Sequence, residues 1–410
     1  MKDLIDAVTD IDILKNSLAQ YFSEFSVSKA IMTILMIFMV VGLADKLRGN
    51  KKGYGKQFDE GFMAMGPLAL SVLGIVSLSP VLITLLSPVI TPVYSAVGAS
   101  PAMFPSSLLA LDMGGYVLAT QLAGDNAAIG VYSGIIVASM MGITMSFTIP
   151  YALTVMKKKD HHILATGVLI GMVTMPLGCI AGGLLMFMTP YEVSFAQLLI
   201  NTLPVIILSA VIACGLIFFR KITLKIFIVF GKAMTFIITA GSAIAVFQYI
   251  TGVRFPLFSQ MVEHNEMMDA VPLEAGLLLV GQIAIVLIGA FPMIHFLNKI
   301  LAGPIEKFGN RVKINNIAST GLLTQLASSI PMLSLVDKMN NRGKLYNIAF
   351  AVSGSFVLGD VLAFVGGREP SMTFPVIAAK LIAGITAIIL VAVLPVSKNM
   401  KEEVSDEKHG

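Results

Sequence analysis

In a chain of 410 residues that is 56% hydrophobic and 13% charged, with a mean hydropathy of +0.86, charged side chains are too few to cover a soluble fold of this size. The composition excludes a water-soluble enzyme or binding domain and specifies a polytopic membrane protein. The formal net charge of +4 sits in loops beside the membrane, which argues against nucleic acid as a partner. The two cysteines, Cys179 and Cys214, lie in apolar runs with no disulfide or metal-ligand spacing.

Residues 1–27 are too polar for the apolar core of a cleavable signal. Leu4, Ile5, Val8, Ile11 and Leu14 recur at helical spacing, which predicts an amphipathic helix on the membrane surface. Eleven apolar segments follow, at about 28–46, 63–90, 103–122, 127–154, 162–188, 197–218, 224–250, 272–299, 315–336, 344–365 and 373–395. Most reach the roughly 20 residues that a crossing helix needs.

The loops between them differ in charge. Lys and Arg concentrate at 45–56, 157–162, 220–225, 299–313 and 337–344; they are scarce at 91–102, 189–195, 251–271 and 366–371. Basic loops stay cytoplasmic, yet 45–56 and 157–162 are three segments apart and would fall on opposite sides if every segment crossed. The conflict disappears if 103–122 enters and leaves from outside and 315–336 from the cytoplasm. Both contain a helix-breaking centre, "DMGG" at 112–115 and "ASSIP" at 327–331.

The predicted fold is therefore all-α, with about nine transmembrane helices, two opposed re-entrant hairpins and the N-terminus outside. The alternative is eleven full spans with one loop against the charge bias. The chain divides into the N-terminal segment 1–27, a first repeat at 28–190, a connecting helix within 191–223, a second repeat at 224–396 and a cytoplasmic tail at 397–410. Pro80 and Pro92 match Pro292 and Pro304; after a two-residue gap "SLLAL" at 107–111 lies over "GLLTQ" at 321–325, Tyr132 over Tyr346 and Ser139 over Ser353. This register superposes the two predicted hairpins. Opposed repeats meeting at mid-membrane are a transporter architecture.

A carboxylate at mid-depth costs roughly 2.5 to 3.5 kcal/mol, so it marks an interior site. Asp112 and Asp360 are such acids; Asp45, Glu60 and Glu274 fall near span ends. Lys232 and Lys380 also fall within spans, and a purely structural reading pairs them with the two aspartates. On the functional reading, at least one aspartate binds a small cation, foremost Asp112 at a hairpin tip. Tyr116, Tyr132 and Phe356 offer ring faces to an ammonium group, and Ser139, Thr144, Asn315, Asn316, Gln325, Ser328, Ser329 and Asn347 supply hydroxyls and amides. No Ser-His-Asp set, HExxH, Walker loop or cysteine cluster points to a membrane enzyme or a cofactor.

The stretches "FDEGFMAMGPLAL" (58–70), "LLALDMGGYVLATQLAGD" (108–125), "YSGIIVASMMG" (132–142), "GMVTMPLGCIAGGL" (171–184), "VKINNIASTG" (312–321) and "AFAVSGSFVLGDVLAF" (349–364) resemble the ethanolamine permease family EutH, from about Val27 to Pro395. The resemblance implies an inner-membrane protein that admits ethanolamine as substrate. It carries Glu60, Asp112, Asn315, Asn316 and Asp360 over at matching motif positions. One departure is "ASSIPM", with Ser328 and Ser329 where two amides are expected.

The expected site thus has Asp112 and Asp360 on the ammonium, Tyr116 beside them, and Asn315, Asn316, Ser328 or Ser329 on the hydroxyl, with Glu60 a further acid. A proton- or sodium-coupled transporter of another small solute, and a scaffold or sensor that does not transport, are the competing functions. Self-association stays open, because the Gly-rich spans can pack within or between chains.

Overall fold

The computed structural model describes residues 11–394, so Leu4, Ile5, Val8 and the predicted tail at 397–410 lie outside the described residues. In chain order the helices are α1 (Ile11–Ser23), α2 (Val27–Leu47), α3 (Tyr54–Ala96), α4 (Met103–Leu108), α5 (Tyr116–Leu122), α6 (Ala127–Val155), α7 (Lys158–Met188) and α8 (Phe195–Phe218). They continue with α9 (Arg220–Thr251), α10 (Pro272–Val312), α11 (Asn316–Thr324), α12 (Ser329–Ser334), α13 (Asn341–Gly354), α14 (Asp360–Arg368) and α15 (Pro370–Val393). No strand occurs among the described residues.

Eight helices, α2, α3, α6, α7, α8, α9, α10 and α15, are long and apolar enough to cross a membrane. The other three predicted segments are interrupted. Breaks in 103–122 and 315–336 fall beside the "DMGG" and "ASSIP" centres. The third, in 344–365, departs from the prediction of nine continuous crossings: α13 stops at Gly354 and α14 begins at Asp360. Its cause is tertiary. Phe356 turns to φ +62° and its N–H donates to Gln325 O at 2.9 Å, while Leu358 N–H donates to Leu326 O at 2.9 Å. Backbone groups that a continuous helix would satisfy internally are satisfied here by the gap between α11 and α12.

Burial sorts the helices. The apolar window of α6 is 94% buried, against 17% for α2 and α9, so α6 runs through the protein interior and the other two lie at its periphery. α7, α13 and α15 pack on one another beside α6, and Gly178 and Gly182 of α7 face Ala379 and Ala383 of α15 at separations that leave no room for a side chain. Small residues permit such close approach where lipid offers no hydrophobic drive. α3 packs on α10, α2 on α10 and α9 on α3.

Around this core, polar loops are tied down locally. Asp45, near the end of α2 as predicted, accepts the N–H groups of Lys52, Tyr54 and Gly55 at 2.9–3.1 Å and folds the following loop around its carboxylate. On α1, Ile11, Leu14 and Leu18 form an apolar stripe that the fold leaves uncovered.

Lys344 and Asp160 form an ion pair at 2.8 Å with both side chains buried. Lys344→Met is expected to lower stability by about 3–5 kcal/mol, because it strands the Asp160 charge. Adding Asp160→Leu should restore much of the loss, and thermal unfolding in detergent measures both.

Candidate functional site

The first interruption is built from backbone fit. Between α4 and α5 the chain makes a wide turn at Leu111–Gly115, with Gly114 at φ +94°, and a Cβ there would sit 2.3 Å from Ile75 Cγ1. On α6, a Cβ at Gly142 would sit 1.9 Å from Leu109 O, so the broken chain lies directly on the helix backbone. Ser146 of α6 accepts the Ala110 N–H at 3.1 Å, and Ala110 O in turn accepts the N–H groups of Met113 (3.0 Å) and Gly115 (2.9 Å). The turn that carries Asp112 is thereby pinned to the most buried helix of the fold.

The interruption before α14 brings Asp360 to the same place. Asp112 and Asp360 line one cavity of about 110 Å³, together with Met113, Phe147, Ile330 and Phe356. Like charges facing one cavity disfavour each other. Neither aspartate forms an ion pair among the described residues. The structural pairing with lysines is not made: Lys380 is buried and donates to Ser139 O at 2.5 Å, and Lys232 lines a separate cavity. Phe147 meets Phe356 edge-on at 5.7 Å and stacks on Tyr151 at 5.4 Å. A chamber with two acids, aromatic walls and no resident protein cation is chemically suited to a small organic cation.

A second, larger and open groove of about 580 Å³ shares Phe147 with the first cavity and runs between α6 and α9, past Tyr151 and the exposed Thr154, Lys232 and Thr235. It extends toward the end of α6 that leads into the Lys-rich loop at 157–159.

The other residues expected at the site are placed elsewhere, with one partial exception. Tyr116 is a turn beyond Asp112, but the left-handed Gly114 redirects the chain, and its hydroxyl donates to Glu369 Oε1 at 2.6 Å. Asn315 caps α11, accepting the Ala318 N–H at 3.1 Å and donating to Lys338 O at 2.9 Å. Asn316 lines a different cavity with Asn298 and Glu306. Glu60 is exposed and pairs with Lys56 at 3.7 Å. Ser328 caps α12 through the Ile330 N–H. The exception is Ser329, buried beside Ile330 with no partner for its hydroxyl among the described residues. Gln325 and Asn347 bond each other at 3.0 Å and serve the α11–α13 contact.

Two features had no sequence signal. Phe147 is one of 24 phenylalanines and nothing in its neighbours distinguishes it. Glu369 lies in a short loop after α14, where it also accepts the Tyr191 hydroxyl at 2.7 Å. Burial and that bond to Glu369 push the Tyr191 phenol up to about 12, so it is a neutral donor across the physiological range.

Comparison with known proteins bears on this arrangement. The family model described as "Ethanolamine utilisation protein, EutH" matches residues 27–394. A protein of Listeria monocytogenes serotype 1/2a (strain 10403S) named probable ethanolamine permease EutH is 42% identical over 383 residues, covering 93% of this chain and 98% of its own. Proteins of the same name from Salmonella typhimurium (strain LT2) and Escherichia coli (strain K12) are each 40% identical, covering 93% and 88% of this chain and 98% and 94% of their own. No solved structure matches.

Proposed function

This chain belongs to the EutH family and is a multi-pass bacterial membrane protein and not an enzyme, and from that premise we propose that it carries ethanolamine across the inner membrane, with the ammonium group held between Asp112 and Asp360. The observation that carries the reading is the shared cavity: two carboxylates face it and, among the described residues, no lysine or arginine pairs with them. A primary alkylamine is an ammonium ion at neutral pH, as the lysine side chain is. Leaving water costs it the solvation that the aspartates replace, and the Phe147 and Phe356 rings add a further attraction. A cavity of about 110 Å³ admits a ligand as small as ethanolamine together with a few waters, since one water needs roughly 10–15 Å³ of such space. The unpartnered hydroxyl of Ser329 is the group we assign to the substrate alcohol.

We also read 28–190 and 224–396 as inverted repeats joined through α8, with α4–α5 and α11–α12 as opposed hairpins. Supporting this, α3 and α10 each carry their matched prolines and pack on each other, α2 contacts α10 as α9 contacts α3, and α7 pairs with its counterpart α15.

Proteoliposomes holding the full chain should take up labelled ethanolamine saturably at acidic pH, where little neutral amine leaks through lipid. Unlabelled ethanolamine should compete better than ethylamine, which lacks the hydroxyl, and better than ethylene glycol, which lacks the charge. Uptake equal to that of empty vesicles would refute the reading. Accumulation that needs a sodium or proton gradient would instead make the protein a coupled transporter.

A further inference from the structure

Two elements leave the Asp112–Asp360 cavity, and one carboxylate, Glu369, ties the end of α14 to the start of α5. α14 begins at Asp360 in the cavity and finishes at Arg368, about 12 Å away at 1.5 Å per residue. α5 begins at Tyr116, one turn after Asp112. Between them the Tyr116 ring, at the start of α5, packs edge-on against Phe364 of α14 at 5.6 Å, with the Arg368 guanidinium 5.8 Å from the ring centre. Glu369 then ties three segments together: one oxygen accepts from Tyr116 of α5, the other from Tyr191 in the loop between α7 and α8. Beyond this layer lies a third cavity of about 300 Å³, lined by Tyr116, Gln121, Asp269, Gln282 and Arg368.

The charge pattern fixes the side of this layer. Glu369, Tyr191 and Asp269 all fall in the Lys- and Arg-poor loops at 366–371, 189–195 and 251–271, the external ones by the positive-inside bias. The larger groove at Phe147 extends the opposite way, toward the basic loop. The aspartate chamber therefore shares a wall, Phe147, with an open groove on the cytoplasmic side, and the Tyr116–Phe364 contact and the Glu369 clasp stand between it and the external cavity.

We infer that Glu369, clasped by the Tyr116 and Tyr191 hydroxyls, is the latch of an outer gate that must release before an external solute reaches Asp112 and Asp360. The inference rests on the transport reading. Its chemistry is a competition: the hydrogen bonds that two neutral phenols donate to a carboxylate are weaker than the charge-assisted bond of an ammonium, so an arriving amine exchanges for the phenols and releases Tyr116 of α5 from Glu369. Glu369 and Tyr191 are gate residues that position the path and are distinct from the binding aspartates.

The test uses impermeant thiol labelling of the full chain in right-side-out vesicles, with Cys179 and Cys214 replaced by alanine. Met113→Cys reports the aspartate chamber and Ala275→Cys the external cavity. An externally added methanethiosulfonate ammonium reagent should label Ala275→Cys at one rate in all backgrounds. Met113→Cys should be labelled slowly in the parent and about tenfold faster or more with Tyr191→Phe or Glu369→Gln. Equal Met113→Cys rates in all three backgrounds, with Ala275→Cys still reactive, would overturn the gate; Tyr191→Phe removes a single oxygen and keeps the result readable if Glu369→Gln folds poorly. Accelerated labelling without any ethanolamine uptake by the parent would retain the gate and refute the transport reading, and saturable uptake with unchanged labelling would do the reverse.

Discussion

Asp112→Asn is expected to abolish saturable ethanolamine uptake while leaving expression and thermal stability close to the parent. Asparagine matches the shape of aspartate, so the turn at Leu111–Gly115, held by Gly114, Ser146 and Ala110, has no reason to rearrange. The change removes the charge and turns one acceptor oxygen into an amide donor. A hydrogen bond to a charged group contributes about 1.5–3 kcal/mol, and each 1.4 kcal/mol is a factor of ten in binding, so the loss at half-saturation should be tenfold at least and beyond a hundredfold at the upper end. Asp360→Asn tests the partner acid. Because two like charges facing one cavity disfavour each other, removing either relieves the other, and binding a cation gives the parent the same relief. The double variant should bind a neutral isostere of ethanolamine no worse than the parent does. If Asp112→Asn transports like the parent at acidic pH, the ammonium is held elsewhere and the cavity loses its assigned role.

How far the sequence discloses this arrangement depends on what each feature is made of. Asp112 and Asp360 stand out because a charge amid apolar residues is improbable without a purpose, and that signal needs no tertiary knowledge. The breaks at "DMGG" and "ASSIP" are legible for a local reason: a glycine pair frees the backbone to turn, and a serine cap with a proline in the next helical turn marks where one helix stops and another starts. The third break, at 355–359, is not local. Its segment "VSGSFVLG" contains no proline, and what stops the helix is the docking of Phe356 and Leu358 onto the carbonyls of Gln325 and Leu326, 31 and 32 residues earlier in the chain. Tyr116 shows the converse failure. Four residues from Asp112 it would share a helix face, but the left-handed turn between them sends its hydroxyl to Glu369, away from the cavity. Asn315 and Asn316 sit at a helix start, where an asparagine side chain caps backbone N–H groups, and Asn315 does so. Phe147 and Glu369 carry no periodic or compositional mark, so only their neighbours in space identify them.

Gly359→Ala is expected to reduce uptake to background and to lower the thermal midpoint by several degrees, although the substitution adds one methyl group. At Gly359 the backbone has φ −103° and ψ −120°, and a Cβ there would lie 2.1 Å from Ala327 O and 2.9 Å from its carbonyl carbon. Neither side can yield cheaply. Ala327 N–H is held by Thr324 O at 3.1 Å, and the two bonds from Phe356 and Leu358 fix the approach of the chains. Overpacking of this kind costs about 1–3 kcal/mol, and the structure can relieve it only by parting the α11–α12 gap from the start of α14. That movement displaces Asp360, the next residue, together with Phe356 and Ile330 on the cavity wall. Function should therefore fail at a cost in stability that the fold survives. Gly281→Ala provides the comparison: it lies within α10 with open space where the methyl would go, and helix propensity favours alanine there by up to about 1 kcal/mol. Parent-like uptake in both alanine variants would mean that the contact between the two broken segments does not position Asp360, and that the carboxylate is placed by α14 alone.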